Sequence, residues 1–394
     1  MGGNGDVNVV FVTHAYPRWE GDVAGSFLER LVIALAARGV GVRIVAPADA
    51  GKGGRELRHH VPVLRVRYAP ARWETLAYRG TMQTAVHSVP NLLAAGSLVL
   101  RQARAVAQTC AEQEADLVHA QWWVPGGVSA WLARRPYIVT LHGMDVVFIE
   151  HTPPVRPLAR HVLERAAAVT AVSSDLADRV AQVLGLDRER IVVQPMPIEA
   201  SGFSQTSRGG GGIVTVGRLM PRKRLDVLLN ALVLLRSNGK TTSLTIIGDG
   251  PERPRLEHLA AELGLGTAVR FLGQVPPAAI PQALGDADVF AFPALGEGFG
   301  LAAAEALMAG VPVVAAKDGG GVNDIIPEQG AGRLVDARPE PLARALGDVL
   351  SDPDARRLAA AAGAALRHRL APATVAENFE ALYRRATAGG GSRA

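Results

Sequence analysis

With 394 residues, 48% hydrophobic and 20% charged, the chain has the composition of a globular protein large enough for two domains with separate cores. No apolar run approaches the roughly 20 residues that span a bilayer: the longest candidate, residues 91–100, is interrupted by Gly96 and Ser97 and followed by Arg101. One cysteine, Cys110, excludes an internal disulfide, and no signal peptide is visible, which predicts cytoplasmic residence; a net charge of +5 admits nucleotides, phospholipid headgroups or nucleic acid as anionic partners without choosing among them.

Residues 7–13 form an apolar, β-branched run, 27–38 show helical periodicity closed by Gly39, and 42–46 predict a second strand. This β-loop-α-β opening predicts a doubly wound parallel sheet, whose ligands lie beyond the carboxyl ends of the strands. The loop from His14 to Ser26, which carries Arg18, therefore borders the expected site. Gly25 and Ser26 either meet a phosphate there or cap the helix.

Residues 51–79 read as irregular and basic, with Arg55, Arg58, Arg65, Arg67, Arg72 and Arg79 set among Tyr68, Trp73 and Tyr78. The stretch is either a solvated surface loop or a place for an anionic lipid or polyanionic acceptor. Two short strands follow, at 117–120 and 137–141. Each runs into a polar loop, QWWVPGG and HGMD, which puts Trp122, Trp123, His142 and Asp145 where chemistry is expected. His142 is also readable as a structural histidine. A strand at 169–172 and the capped helix SSDLADRVAQVLG precede the Gly-rich SQTSRGGGG, so the domain boundary is expected between Glu199 and Gly212. This divides the chain into residues 1–199, 200–374 and a terminal helix and tail, 375–394.

The second half restarts the alternation with IVTVGRL, a helix at 225–236, SLTIIGDG, a helix near 256–263, VRFLGQV and DVFAFPAL. Arg222, Lys223 and Arg224 crowd a helix start, where cations oppose the dipole unless an anion lies among them. Asp286 and Asp288 spell a DxD pattern, but they precede a strand and so belong at the sheet edge opposite the ligand crevice. No His/Cys cluster has zinc spacing, and no metal is expected.

The most informative stretch is FAFPALGEGFGLAAAEALMAGVPVVAA, residues 290–316: a buried strand, a Gly-punctuated loop and a helix closed by Gly310. Glycines 298 and 300 allow an anion to approach the main chain at a helix N-terminus. Glu305 is the one ionisable side chain between Gly298 and Ala316, and in a helix of Leu, Ala and Met it calls for hydroxyl groups that would donate to it. Glu297 is also compatible with ordinary dipole chemistry at a helix start.

Taken together, GRLMPRK, IIGDGP, VRFLGQV, TLHGMD and the Glu-x7-Glu motif of Glu297 and Glu305 resemble the retaining glycosyltransferases of family 4. The resemblance runs over nearly the whole chain and implies an α/β GT-B fold, with two Rossmann-like domains and parallel sheets facing a central cleft. By similarity, Glu305 would bind the ribose and Glu297 the transferred sugar. The diphosphate would be held by Gly298, Phe299, Gly300 and Leu301 with Arg218 and Lys223, while Gly25 and Gly248 would approach the donor and Gln274 would line the base. His142 would face the donor sugar, and Arg18, Trp122, Trp123 and Asp145 are acceptor-side candidates. The helix at 375–385 resembles the one that returns to the first domain. GDVAGSF replaces the family's double-Gly loop, and PMPIE stands where Asn-Gly-Val-Asp is common.

The resemblance implies a nucleotide diphosphate sugar as donor, UDP-linked by family frequency, and retention of configuration without metal or cofactor. Retaining glycosidases place two carboxyl groups about 5 Å apart; no such pair presents itself here, which predicts front-face displacement assisted by the departing diphosphate. The acceptor would be a saccharide, a lipid-linked molecule or a natural product, with possible peripheral contact to an anionic membrane; no nucleic acid is expected. Competing readings are a GT-B-fold sugar-nucleotide epimerase and a non-catalytic module that binds membrane or polysaccharide.

Overall fold

A computed structural model describes residues 7–78, 88–203, 208–326 and 330–388. The chain divides into two compact units, one of Met1–Pro197 with Pro372–Ala394 and one of Ile198–Ala371. Both are α/β, as the alternation of strand and helix signals predicts. No helix among the described residues is long and apolar enough to cross a membrane.

The first unit contains strands β1 (Asn8–Val12), β2 (Gly41–Pro47), β3 (Gly54–Arg58), β4 (Val61–Val66), β5 (Leu117–Gln121), β6 (Tyr137–Leu141), β7 (Ala168–Ala171) and β8 (Ile191–Val193). They form one sheet in the order β3-β4-β2-β1-β5-β6-β7-β8, parallel except for the antiparallel β3·β4 pair. The central strands are apolar on both faces because helices cover both: Val9 to Val12 and Leu117 to Gln121 are buried throughout. The helix Ser26–Ala37, which connects β1 to β2, buries Leu28, Leu31, Val32 and Leu35. Residues 51–79 were expected to be irregular, yet they contain the β3/β4 hairpin. Arg65 is buried there, bonded to Glu56, Tyr78 Oη and the carbonyls of Tyr16 and Pro17, and Arg67 pairs with the buried Glu74. Much of the basic charge in this stretch is thus consumed internally; Arg79 lies outside the described residues.

The helix Pro372–Ala388 belongs to this unit and packs on the helix Ser26–Ala37 and on β5. Arg38 Nε donates to Glu380 at 2.7 Å, and Tyr383 shares a 2.7 Å hydrogen bond with His119 of β5.

The second unit contains β9 (Ile213–Val216), β10 (Leu244–Ile247), β11 (Val269–Gly273), β12 (Val289–Phe292), β13 (Val313–Ala316) and β14 (Gly332–Val335). Its sheet is wholly parallel, in the order β11-β10-β9-β12-β13-β14. One face is covered by the helices Leu225–Ser237 and Pro339–Ser351, whose Leu228, Leu232, Leu342 and Leu346 join Ile213, Leu244 and Val289 in the core.

Candidate active site

In each unit the strand order reverses once. In the second, the chain moves outward from β9 to β11 and then restarts at β12 on the other side, so the carboxyl ends of β9 and β12 open a crevice. Gly217, Arg218 and Leu219 follow β9, and Pro293 and Ala294 follow β12. All five line one cleft together with Lys223 and Phe292. Lys223 closes the 3-10 turn Pro221–Lys223, and Arg224, in the left-handed region at φ +49°, redirects the chain into the next helix.

The Lys223 ammonium lies 5.1 Å from the centroid of Phe292 and 3.1 Å from Glu297 Oε1, with Arg222 Nη1 3.4 Å from the same oxygen. Glu297 Oε1 is buried, and neither cation is aligned with it as a hydrogen bond. A buried carboxylate oxygen in that condition is a ready acceptor for a ligand donor. The loop that carries it is fixed by main-chain bonds: Leu295 N donates to Arg222 O at 2.9 Å, Gly296 N to Asp318 O at 2.9 Å and Glu297 N to Gly319 O at 3.0 Å, while Gly321 N donates to Glu297 O at 2.9 Å. The loop after β12 is therefore strapped to the loop after β13.

Gly298 and the buried Phe299 lead to Gly300, which opens the helix Leu301–Met308 at φ +91° with no side-chain cap. Its first N–H groups have no acceptor within the helix and face the chemistry described for anion sites. Glu305, half-buried, follows on the same helix between the buried Ala304 and Ala306. Gly248, after β10, sits so close to Gly217 that a Cβ would overlap its carbonyl oxygen. Arg218, Lys223, Glu297 and residues 298–301 thus collect around β9 and β12, with Gly248 adjoining through Gly217. Gln274, exposed after β11, lies two strands further out.

In the first unit the reversal falls between β1 and β5. His14 follows β1, Gln121 ends β5 and His142 follows β6. His142 Nε2 lies 2.7 Å from Gln121 Oε1, its ring is 5.1 Å from that of Phe27, and its main-chain N–H donates to Asp145. The His14 ring lies 4.1 Å from that of Trp122. Burial lowers the His142 pKa to about 3, with His14 adding to the effect, and burial lowers His14 to about 4. Both imidazoles are therefore neutral at physiological pH. His14 Nδ1 and Gln121 Nε2 are buried without a hydrogen-bond partner.

Two acceptor-side candidates require correction. Trp123 is buried, donates its indole N–H to Asp145 O at 3.0 Å and stacks on Phe148, so it is a core residue. Asp145 is fully buried and accepts the N–H groups of His142, Gly143 and Val146. Burial raises its pKa to about 6, although those bonds pull the other way. It shapes the His142 loop from beneath. Arg18 pairs with Asp22 at 2.7 Å and Asp49 at 2.5 Å and lies over Trp19 and Tyr78, so its charge is engaged within its own surroundings. Trp122, half-exposed at φ +67°, remains at the crevice. Gly25, at φ +79°, precedes the first helix, and a Cβ there would lie 2.6 Å from Ala15 O. His14 and Gln121 were not singled out in the sequence; their positions directly at the ends of β1 and β5 are the signal that could have found them.

No group of three His, Cys, Asp or Glu side chains is arranged to hold a metal among the described residues. The DxD carboxylates lie at the amino end of β12, where Asp286 pairs with Arg208, and Asp288 accepts Gly210 and Gly212 N–H and pairs with Arg356.

Two doubly wound units, each with a crevice at its own strand-order reversal and one with a basic and acidic pair beside an uncapped helix start, are the architecture of the GT-B fold. The family described as "Glycosyl transferases group 1" matches residues 205–365, and the "Glycosyl transferase 4-like domain" matches residues 24–197. A D-inositol 3-phosphate glycosyltransferase from Nocardia farcinica is 34% identical over 236 residues, 52% of each chain. The chain spans about half the length of the curated relatives it matches. Among solved structures, sucrose-phosphate synthase from Thermosynechococcus elongatus superposes with a TM-score of 0.78 at 22% identity, covering 98% of this chain and 100% of that one. Anabaena HepE in complex with UDP and glucose superposes at 0.70 with 22% identity, covering 96% and 99%. The two glycosyltransferase family models therefore match one unit each.

Proposed function

We propose that this protein is a retaining, metal-independent hexosyltransferase that moves a sugar from a UDP-sugar to an acceptor hydroxyl. The observation that carries the reading is the juxtaposition of Lys223, Glu297 and the uncapped start of the helix Leu301–Met308 at the β9/β12 reversal. A diphosphate needs cations and main-chain N–H groups, and a sugar or ribose needs carboxylates that accept hydroxyl donors; this crevice offers both. The UDP and glucose named for HepE and the glycosyltransferase activity named for the Nocardia relative support the same substrate class.

In this reading the bond between the anomeric carbon and the β-phosphate oxygen breaks as the acceptor oxygen bonds to that carbon from the same face. The acceptor proton passes to the departing phosphate. Arg218 and Lys223 stabilise the charge that develops on the diphosphate, Glu297 holds the transferred sugar, Glu305 the ribose and Gln274 the base. His142, neutral and held by Gln121, is the corresponding polar group at the first unit's own crevice. Acceptors of the class are saccharides, lipid-linked molecules and hydroxylated natural products.

The test is a thermal-shift panel of UDP-, GDP- and ADP-sugars. Product mass spectrometry and anomeric NMR with the best donor follow, with and without chelator. Stabilisation by a UDP-sugar, an α-linked product from an α-linked donor and undiminished turnover in chelator are expected. An isomerised donor with no transfer, inversion, or dependence on added metal would overturn the reading.

A further inference from the structure

The helix Val89–Glu112 buries one face and leaves another bare. Leu98, Gln102, Val106 and Thr109 face inward, and Leu98 joins Tyr68 and Leu76 in a small core with Ala94 and Ala95. On the opposite side, Val89 is 70% exposed, Leu92 55%, Leu93 70% and Leu100 65%. At 100° per residue, Val89, Leu93 and Leu100 fall within one narrow arc and Leu92 borders it. Four large aliphatic side chains in solvent within three turns form a contiguous patch of the kind that marks an interaction surface.

The charge around the patch has one sign. No Asp or Glu occurs between Glu74 and Glu112, an interval that contains Arg101 and Arg104 on the next turns of the same helix. Both are exposed, and neither forms an ion pair among the described residues. Aliphatic side chains flanked by arginines that form no ion pair match a bilayer surface that bears anionic headgroups. A second copy of the chain fits less well. A two-fold contact sets a patch against itself, and the arginines would then face their own counterparts with no acid in the interval to neutralise them.

We propose that the outer face of Val89–Glu112 is a peripheral docking surface for anionic lipid bilayers. The aliphatic residues insert at the headgroup boundary while Arg101 and Arg104 meet the phosphates. This rests on exposure and charge in the first unit and stands or falls separately from the transferase reading.

The test is co-sedimentation of the full chain with vesicles of phosphatidylcholine alone and with one quarter phosphatidylglycerol. Binding to the mixed vesicles only, weakened at high salt, is expected. Leu93→Glu with Leu100→Glu should weaken partitioning by roughly tenfold or more, since two aliphatic insertions are lost and two negative charges face the lipid. Arg101→Gln with Arg104→Gln should reduce the salt dependence and leave the far-ultraviolet circular dichroism unchanged. Equal sedimentation with both vesicle types, absence of binding by the unaltered protein, or a dimer in light scattering that Leu93→Glu dissociates would overturn the proposal.

Discussion

Lys223 Nζ and Glu297 Oε1 lie 3.1 Å apart although they come from loops after different strands, and Leu295 N bonded to Arg222 O clamps those two loops together. Both side chains retain only about one seventh of their exposure. An anion arriving beside Lys223 would share an ammonium already held in place, so little ordering remains to be done at binding.

Lys223→Ala should therefore reduce turnover far more than stability. Loss of a single charge-stabilising donor in a preorganised site costs about 10²–10³ in kcat, and the variant should keep the wild-type circular dichroism spectrum and show weaker UDP affinity by calorimetry. Wild-type turnover in that variant would refute the assignment of Lys223 to the diphosphate.

Gly248→Ala tests the backbone of the same crevice. At φ +127° the position is unfavourable for any L side chain, and the added methyl would overlap Gly217 O, part of the wall that Lys223 packs against. The expected cost is about 2–4 kcal/mol by urea unfolding, together with a loss of UDP affinity because Gly217 must move. A variant of unchanged stability would mean that the two loops separate easily.

The doubly wound architecture was legible because parallel strands buried on both faces are written as unbroken apolar runs: Val9 to Val12 and Val289 to Phe292 could be little else. Loops at strand ends then placed His142 and Glu297 correctly in the fold. The β3/β4 hairpin was not legible, because GRELR is an exposed edge strand whose charged residues give no apolar period. Trp123 and Asp145 were misjudged for a different reason. Trp122 adopts φ +67°, and that turn sends its neighbour Trp123 inward to meet Asp145 O. His14 and Gln121 are far apart in sequence and become neighbours through the pairing of Val12 with Ala120.

The neutral histidines predict a pH dependence of stability. His142 and His14 have folded pKa values of about 3 and about 4, below the ordinary 6.5, and burial also holds His119 well below it. The unfolded chain therefore binds more protons between those limits. The stability these residues contribute is complete above about pH 6.5 and is lost as the pH falls towards 4 and 3. Asp145, raised to about 6 from 3.8, acts in the opposite sense between those two values and offsets part of the loss. Urea midpoints should fall from pH 7 to pH 4.5, and His14→Asn should flatten the decline. A midpoint that rises on acidification would contradict the neutral, buried assignment.

Tyr383 joins the helix Pro372–Ala388 to the first unit's sheet through the fully buried His119, whose other ring nitrogen lies 2.7 Å from Thr140 Oγ1, itself 2.7 Å from Thr170 Oγ1. Tyr383→Phe keeps the ring that packs 6.1 Å from Phe379 but leaves one nitrogen of His119 unpaired in a site without water access. The cost of such an orphaned group is about 1–3 kcal/mol. The helix should become more susceptible to limited proteolysis, and the loss should be smaller in a Tyr383→Phe, His119→Leu double variant than the two single effects added, because the pair is then removed together. UDP affinity should be unchanged, since neither residue lies at the β9/β12 crevice. Strict additivity of the two substitutions would show that the hydrogen bond contributes nothing to the docking of this helix.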